Sequence, residues 1–249
     1  MIRVTIMIIK RPEVKRLIVD TDGGVDDAVA LLVAERLAGP VMDVVTVGGN
    51  VSCAQAAQNA AQLVHVPVHC GIDPPGWRAE YRHGKDGLNG YWDGVSRPVS
   101  DDGLRILQDA MTSAGTVVAC LGPLTNVAAA AGRIAHVGGE IQASIIGLGG
   151  TERGPECLQD TNRRLDPDAA EAVSSLVKLV NLPEAAALTR TPLSVGADSA
   201  YWSMLAPFAT RTMNVWHWDD AFPLYDVAVI CTALGTSQQA STLIHHALA

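Results

Sequence analysis

Asp20, Asp22, Asp26 and Asp27 fall within eight consecutive residues, Asp-Thr-Asp-Gly-Gly-Val-Asp-Asp. The apolar run 17–19 before them reads as a buried strand, and 28–37 after them reads as a helix. The carboxylates therefore crowd the carboxyl end of a strand, where open α/β sheets place their ligands. So many negative charges repel one another unless something positive sits among them. A hard divalent cation with oxygen ligands answers that need. Aspartates also cap helices and are favoured in a first helical turn by the macrodipole. Capping accounts for Asp26 or Asp27, but not for Asp20 and Asp22 on the strand side as well. Gly23 and Gly24 allow a tight turn between the two pairs.

Other segments end in polar residues that a plain core does not need. Gly48-Gly49-Asn50 follows one apolar run, Gly122-Pro123-Leu124-Thr125-Asn126 another, and Asp160-Thr161-Asn162 with Asp166-Pro167 a third. Each has an ordinary reading: Asn50 and Asn126 as helix caps, Asp166-Pro167 as a helix start. Together, on one edge of one sheet, they describe a polar pocket around a cation.

The elements that must position these groups alternate. Strands are predicted over 17–20, 43–47, 66–70, 116–121, 140–148 and 177–181, and helices over 26–38, 53–64, 101–113, 124–134 and 167–175. The strands are short apolar runs without clean alternation, as expected when both faces of a sheet are covered. The fold class is α/β: a mainly parallel open sheet with helices on both faces. Two irregular stretches, 71–98 and 149–165, begin at strand ends and can reach the aspartates; long loops of this kind are often functional. Beyond 188 the pattern weakens, with helices expected over 200–210 and 226–234.

Composition bounds the rest. A chain of 249 residues with 48% apolar content suits one large domain over 1–249, with 1–15 as an extension or extra strand and 190–249 as a shortened helical part. Aromatics are only 4%, so the core is built mostly of Ala, Val, Leu and Ile. A net charge of −8 argues against a nucleic-acid surface. The five cysteines, Cys53, Cys70, Cys120, Cys157 and Cys231, form no Cys-x-x-Cys pair, which speaks against zinc and a disulfide framework and for a reduced cytoplasm. The apolar stretch 1–9 is short and broken by Arg3, unlike a signal peptide, and no stretch suits a membrane span.

The segment 20–28 resembles the signature of the nucleoside hydrolases, the inosine–uridine-preferring N-ribohydrolase family. Further matches occur in order: Thr46-Val47-Gly48-Gly49-Asn50, Pro67-Val68-His69-Cys70-Gly71, His83-Gly84-Lys85-Asp86-Gly87-Leu88, Gly122 to Asn126, and Asp166-Pro167-Asp168-Ala169-Ala170. The likeness covers about 17–190 and a patch around Asp226. Five ordered motifs are far more specific than any one of them. The resemblance implies one calcium ion per subunit, held by Asp22, Asp27, the carbonyl of Leu121 and Asp226. It implies that Asp26, Asn50 and Asn162 hold a ribose, with Asp226 in reach and Asp160 at its outer end. Asp22 would take a proton from the attacking water, an oxocarbenium-like ribose would form, and the base would leave. The expected partner is a small-molecule nucleoside, in a cytoplasmic salvage enzyme that forms a homodimer or homotetramer.

The chain departs from the family pattern in several places. Gly23 stands where the family usually has proline. Tyr225 stands where a histidine often serves the leaving base, and a phenol with an ordinary pKa near 10 is a poorer acid. His83, Trp216, His217 and Trp218 are the substitutes. Asp160 replaces a glutamate, and Gly154 aligns with an asparagine that holds the 5′ end of the ribose. A substrate altered at that end follows, deoxy or substituted, with Arg153 and Arg163 as candidates for a 5′-phosphate against the plain reading of solvated arginines. Only 193–224 precedes the late aspartate, a short stretch that leaves the base side open or closed by a neighbouring subunit. Trp202, Trp216 and Trp218 offer a stacking surface there, against the equal alternative of burial in the core or an interface.

Two other readings compete. A magnesium phosphatase of the haloacid-dehalogenase type also carries a strand ending in Asp-x-Asp; Asp20 would be its nucleophile and Asp219-Asp220 its late acid pair. A non-catalytic homologue would bind a nucleoside or sugar without cleaving it.

Overall fold

The computed structural model describes residues 14–78, 82–150 and 160–249. Six strands form one parallel sheet: β1 (Arg16–Thr21), β2 (Met42–Thr46), β3 (Val68–Cys70), β4 (Thr116–Cys120), β5 (Ser144–Leu148) and β6 (Val177–Val180). Their order is β3-β2-β1-β4-β5-β6. Chain direction across the sheet reverses between β1 and β4, which are direct neighbours pairing Leu17 with Val117 and Asp20 with Cys120. That reversal opens a crevice beyond the carboxyl ends of β1 and β4, the usual ligand position in such sheets.

Successive residues of β1 feed opposite faces. Leu17 and Val19 join a core with α1 (Val25–Ala38), α2 (Cys53–Leu63), α7 (Leu182–Leu188), α10 (Tyr225–Ala233) and α11 (Ala240–Leu248). Ile18 joins Val45, Val118 and Cys120 against α3 (Gly103–Met111) and α4 (Thr125–His136). In α4 the buried residues Val127, Ala130 and Ile134 follow helical spacing. Helices α1 and α10 are apolar almost all round and lie against each other and the sheet. Both begin at the sheet's carboxyl edge, and each carries aspartate in its first turn.

Several boundaries differ from the sequence expectation. Strand β3 starts at Val68, after Pro67, which has no amide hydrogen to donate to the ladder. Strand β5 starts at Ser144; the amides of Gln142 and Ala143 instead donate to the Met111 carbonyl, 2.9 and 3.1 Å away. Beyond β5 come α5 (Thr161–Leu165), α6 (Pro167–Ala172) and α8 (Leu193–Ala197). A small antiparallel pair, β7 (Thr191–Pro192) with β8 (Ala221–Phe222), ties the late segment together. The helix expected over 200–210 runs further, as α9 (Trp202–Trp216), despite an internal Pro207. Residues 1–13, with the suggested extra strand, lie outside the described residues.

Candidate active site

The turn between β1 and α1 is built by its own side chains. Asp27 Oδ1 accepts from Thr21 Oγ1 at 2.5 Å and from the Asp22 amide at 3.3 Å; its Oδ2 accepts from the Gly24 amide at 3.0 Å. Gly23 has φ +75°, and a Cβ there would stand 2.7 Å from the Ala56 Cα. Proline, fixed near φ −65°, cannot take this conformation, so the departure from the family motif belongs to the local geometry. Asn59 clamps the turn from outside, donating to the carbonyls of Gly23 and Asp86.

The four aspartates separate into two environments. Asp20 lies behind the site: Asn126 Nδ2 donates to its Oδ1 at 2.8 Å, and its Oδ2 is buried without a hydrogen-bond partner among the described residues. Asn126 also donates to the Thr46 carbonyl and accepts from the Ile72 amide. It is thus a buried bracket across three strands rather than the helix cap its position suggested. Asn50 is no cap either; Ser52 caps α2. Instead Asn50 grips Asp22, its amide donating to Oδ2 at 2.9 Å and its Nδ2 to Oδ1 at 2.8 Å. Gly49 is required beside it, because any Cβ there would collide with the Asp22 carboxylate. Asp166 does start α6 as expected, accepting from the Ala169 amide at 3.0 Å.

Asp22, Asp26, Asp27 and Asp226 then line one cavity of about 330 Å³, with Asn50, Leu121, Asn162 and Tyr225. Oxygens of Asp26, Asp27 and Asp226 all lie within 4.8 Å of one another. Asp226 Oδ1 is buried with no hydrogen-bond partner among the described residues. Burial first, and then the charge of Asp27, pushes the Asp26 carboxyl up to about 7. The same causes raise Asp22 well above the carboxylate range. Burial, followed by the charges of Asp26, Asp27 and Asp22, does so for Asp226. An all-oxygen set, buried and short of positive charge, fits a hard divalent cation. Of the expected ligands, Asp27 and Asp226 stand in the converging group. Asp26, expected on the sugar, stands with them, and Asp22 lies beside them with its oxygens on Asn50. The Leu121 carbonyl faces the same cavity and accepts from Asn162 Nδ2 at 2.6 Å.

Other expected residues take different roles. Asp160 borders the cavity, but its carboxylate caps α5: Oδ1 accepts from the Arg163 amide at 3.0 Å and Oδ2 from the Gly150 amide at 2.8 Å. Arg163 turns away to Glu171, and Arg153 and Gly154 lie outside the described residues. Tyr225 lines the cavity and its hydroxyl accepts from Trp216 Nε1 at 2.7 Å. Trp216 stacks on Trp218, which in turn lies under Arg190. Trp202 packs against Gly196. His217 ends α9 with φ +53°. Among the described residues no tryptophan lines the cavity.

His83 does line it, its Nδ1 3.9 Å from Asp26 Oδ1. The Val25 amide donates to its Nδ1 at 2.8 Å, and burial, with the charges of Arg211 and Arg82, pushes its pKa down to about 3. The imidazole is therefore neutral at physiological pH and carries its hydrogen on Nε2. Sequence reasoning missed the rest of this wall: Phe208, Arg211, Thr212 and Val215 from α9, and Arg82. The spacing i, i+3, i+4, i+7 marks one helix face, and it was the only available signal.

The inosine-uridine preferring nucleoside hydrolase family matches residues 17–246. The chain belongs to that family. Among relatives of this nucleoside hydrolase-family chain, the non-specific ribonucleoside hydrolase RihC of Salmonella enteritidis PT4 is 34% identical over 177 residues, covering 63% of this chain and 56% of RihC. The RihC of Salmonella newport SL254 is 33% identical with the same coverage. The chain thus spans little more than half the length of these relatives. A purine-preferring ribonucleoside hydrolase from Gardnerella vaginalis shares the fold, with a TM-score of 0.70 at 21% identity, covering 88% of this chain and 80% of that one. The type III effector XopQ, solved in complex with adenosine diphosphate ribose, does so with a TM-score of 0.66 at 16% identity, covering 94% and 92%. Family membership overturns the phosphatase reading. The geometry agrees: Asp20 is sealed behind Asn126, and Asp219 and Asp220 are exposed, with Asp220 on Arg190. Among the described residues no helix is long and apolar enough to cross a membrane.

Proposed function

We propose that this protein hydrolyses the N-glycosidic bond of a ribonucleoside, giving ribose and free base. What supports the reading most is one cavity that gathers the acidic turn after β1, Asn50 after β2, Leu121 after β4, Asn162 on α5 and Asp226 on α10. RihC is named as a non-specific ribonucleoside hydrolase, which supports the same reaction class.

Asp22, Asp27, Asp226 and the Leu121 carbonyl would hold a divalent cation, calcium by preference for carboxylate and carbonyl oxygens, with Asp26 reaching both it and the sugar. Such an ion supplies charge balance and a more acidic water. The protein's own groups do the rest. Asn50 fixes the Asp22 carboxylate with two hydrogen bonds, leaving it oriented to take a proton from water. Oxygen then bonds to C1′ while the C1′–N bond breaks and its electron pair leaves with the base. The neighbouring carboxylates stabilise the positive charge that develops on the ribose. Asn162, lining the cavity with its Nδ2 on the Leu121 carbonyl, would meet a ribose hydroxyl. Tyr225 borders the same cavity, its hydroxyl accepting from Trp216 Nε1, and is the candidate group nearest the departing base.

The test is a hydrolysis screen with calcium or magnesium over purine and pyrimidine ribonucleosides, reading free base by chromatography. Release of base that stops on chelation is expected. Ribose binding in calorimetry with no base released from any nucleoside would replace the hydrolase by a binding protein. Sedimentation under the same conditions checks the proposed homodimer or homotetramer.

A further inference from the structure

Outside the cavity, two thiols meet beneath the loop that carries Asn50. Thr46 ends β2 and pairs across the sheet with Cys70, which ends β3, so both side chains turn to the same face. Helix α2 packs on that part of the sheet, and Cys53 is its first residue. The Cys53 Sγ stands 3.3 Å from Thr46 Oγ1 and donates to the Thr46 carbonyl at 3.4 Å, and the Cys53 and Cys70 thiols also hydrogen-bond to each other. The hydrolytic chemistry uses neither sulfur. The two differ in access: Cys53 is buried, whereas Cys70 is only partly covered. They differ in acidity as well. The bond from Cys53 holds the Cys70 thiol below its ordinary range against the opposing effect of burial, while the same bond, and then burial, pushes Cys53 up. A reachable thiol with thiolate character stands in front, and a sealed one stands behind it. Cys120 and Cys231 are buried in the core, and Cys157 lies outside the described residues.

The segments that these thiols join also set the hold on Asp22. Asn50, which grips Asp22, lies in the loop that leads through the capping Ser52 into Cys53. The Cys53 amide donates to Asp73 Oδ1 at 2.7 Å, and the Gly48 amide donates to the Ile72 carbonyl at 3.1 Å. A Cβ at Gly48 would collide with Asp73, so this loop has no slack against the chain that follows β3. We propose that Cys53 and Cys70 form a modification site for small disulfide oxidants, closing to an intramolecular disulfide that draws the start of α2 toward β3 and loosens Asn50 from Asp22. The Cys70 thiolate attacks one sulfur of the oxidant, whose S–S bond breaks and releases one thiolate. Cys53 gives its proton to that leaving group and attacks the Cys70 sulfur, and the second half of the oxidant departs. Two protein thiols are oxidised to one disulfide, and the oxidant is reduced to two thiols. The effect on turnover rests on the hydrolase reading above; formation of the bond does not.

The experiment equilibrates the full chain, with calcium, in graded mixtures of oxidised and reduced glutathione, then maps disulfides by peptide mass spectrometry and measures base release. A linked Cys53–Cys70 peptide is expected, together with a fall in kcat of about 10-fold or more that dithiothreitol reverses. Cys70→Ser and Cys53→Ala should keep the reduced protein's kcat and lose its sensitivity to glutathione. Two variants guard against either one failing to fold. Absence of the linked peptide in the folded protein overturns the proposal, as does a bond from either thiol to Cys157 instead. A linked peptide with kcat unchanged overturns the coupling to Asn50. If no nucleoside is cleaved, the hydrolase reading fails while the linked peptide still decides the site, and weaker ribose binding in calorimetry by the oxidised form takes the place of kcat. Equal binding by the two forms then overturns the coupling.

Discussion

The two walls of the cavity are built on different principles. The acidic wall is mostly local, with Asp226 brought in from α10. Thr21, Asp22, Gly24 and Asp27 bond to one another within a single strand–turn–helix, and Asn50 joins from the next strand. The adjoining wall is assembled from far apart: Arg211 meets His83 and Arg82 across about half the chain, and Asn89 Nδ2 fastens the segment after His83 to the Met204 carbonyl on α9 at 2.8 Å. The acidic wall is a fixed array of buried carboxylates whose charge is uncompensated. The other carries positive charge and presents donors. The sheet edge thus gathers the acids, while a packed helix brings the guanidinium of Arg211 to the same cavity.

The sharpest way to break this comparison is to treat Asp20 and Asp22 alike. They are two residues apart, yet Asp22 faces the cavity and Asp20 is sealed behind Asn126. Asp22→Asn removes the proton acceptor and is expected to lower kcat by about 10²- to 10⁴-fold. Asp20→Asn keeps the shape, and burial already pushes the Asp20 carboxyl up to about 7, so a neutral amide is tolerated. Its kcat is expected within about 10-fold of the parent. Equal losses measured for both variants would erase the distinction between the front and the back of the cluster.

Charge on the acidic wall gives the next largest effect. The Asp26 carboxyl moves from an ordinary 3.8 to about 7 in the folded protein. Between those values the folded form holds a proton that the unfolded chain has released. Without metal, this contribution to stability is full below the lower value and is lost as pH rises through the upper one. The metal-free protein is therefore expected to melt at lower temperature at about pH 8 than at about pH 5, with added calcium raising Tm most at the higher pH. Melting curves with chelator and with calcium check the sign. A Tm that rises with pH in chelator, or ignores calcium, would remove the cation from the acidic wall.

Legibility follows the same division. The acidic turn, the motif ends at Asn50 and Asn162, and the parallel sheet were readable because strand periodicity and glycine turns are local signals. Asp226 was reached through family resemblance, since nothing near it in sequence marks it as part of the cluster. Within 182–248 the helix expected over 226–234 matches α10, but the rest is legible only in part. Asn181, expected in a strand, caps α7 and accepts from the Glu184 amide, and α9 runs past its expected end. Base stacking and burial are both open for the tryptophans from sequence; in the structure Trp216 and Trp218 stack on each other and Phe208 lines the cavity. Side-chain type named aromatic candidates; only packing decides which one turns inward.

Asn126 tests how far the acidic wall depends on what lies behind it. Asn126→Ala strands Asp20 Oδ1, the Thr46 carbonyl and the Ile72 amide, all bonded to it in the parent. A loss of about 2–4 kcal/mol in denaturant unfolding is expected, because each buried group left unpaired costs about 1–3 kcal/mol. A variant as stable as the parent would mean that water or a shifted strand replaces the bracket at little cost.

The smallest expected effect is at Asp160, where the family resemblance and the geometry disagree. The resemblance puts this residue on the sugar; the structure puts both its oxygens on backbone amides. Asp160→Ala removes a helix cap, for which about 1 kcal/mol of stability is the usual loss. Helix α5 has only five residues and carries Asn162, whose bond to the Leu121 carbonyl would loosen with it. KM is then expected to rise by about 2- to 5-fold, with kcat nearly unchanged, because the variant disturbs the holding of the substrate and not the proton acceptor. Asn162→Ala should produce a larger KM change without the matching loss of stability. If Asp160→Ala instead raises KM more than Asn162→Ala while the protein unfolds at the parent's denaturant midpoint, the carboxylate touches the substrate after all.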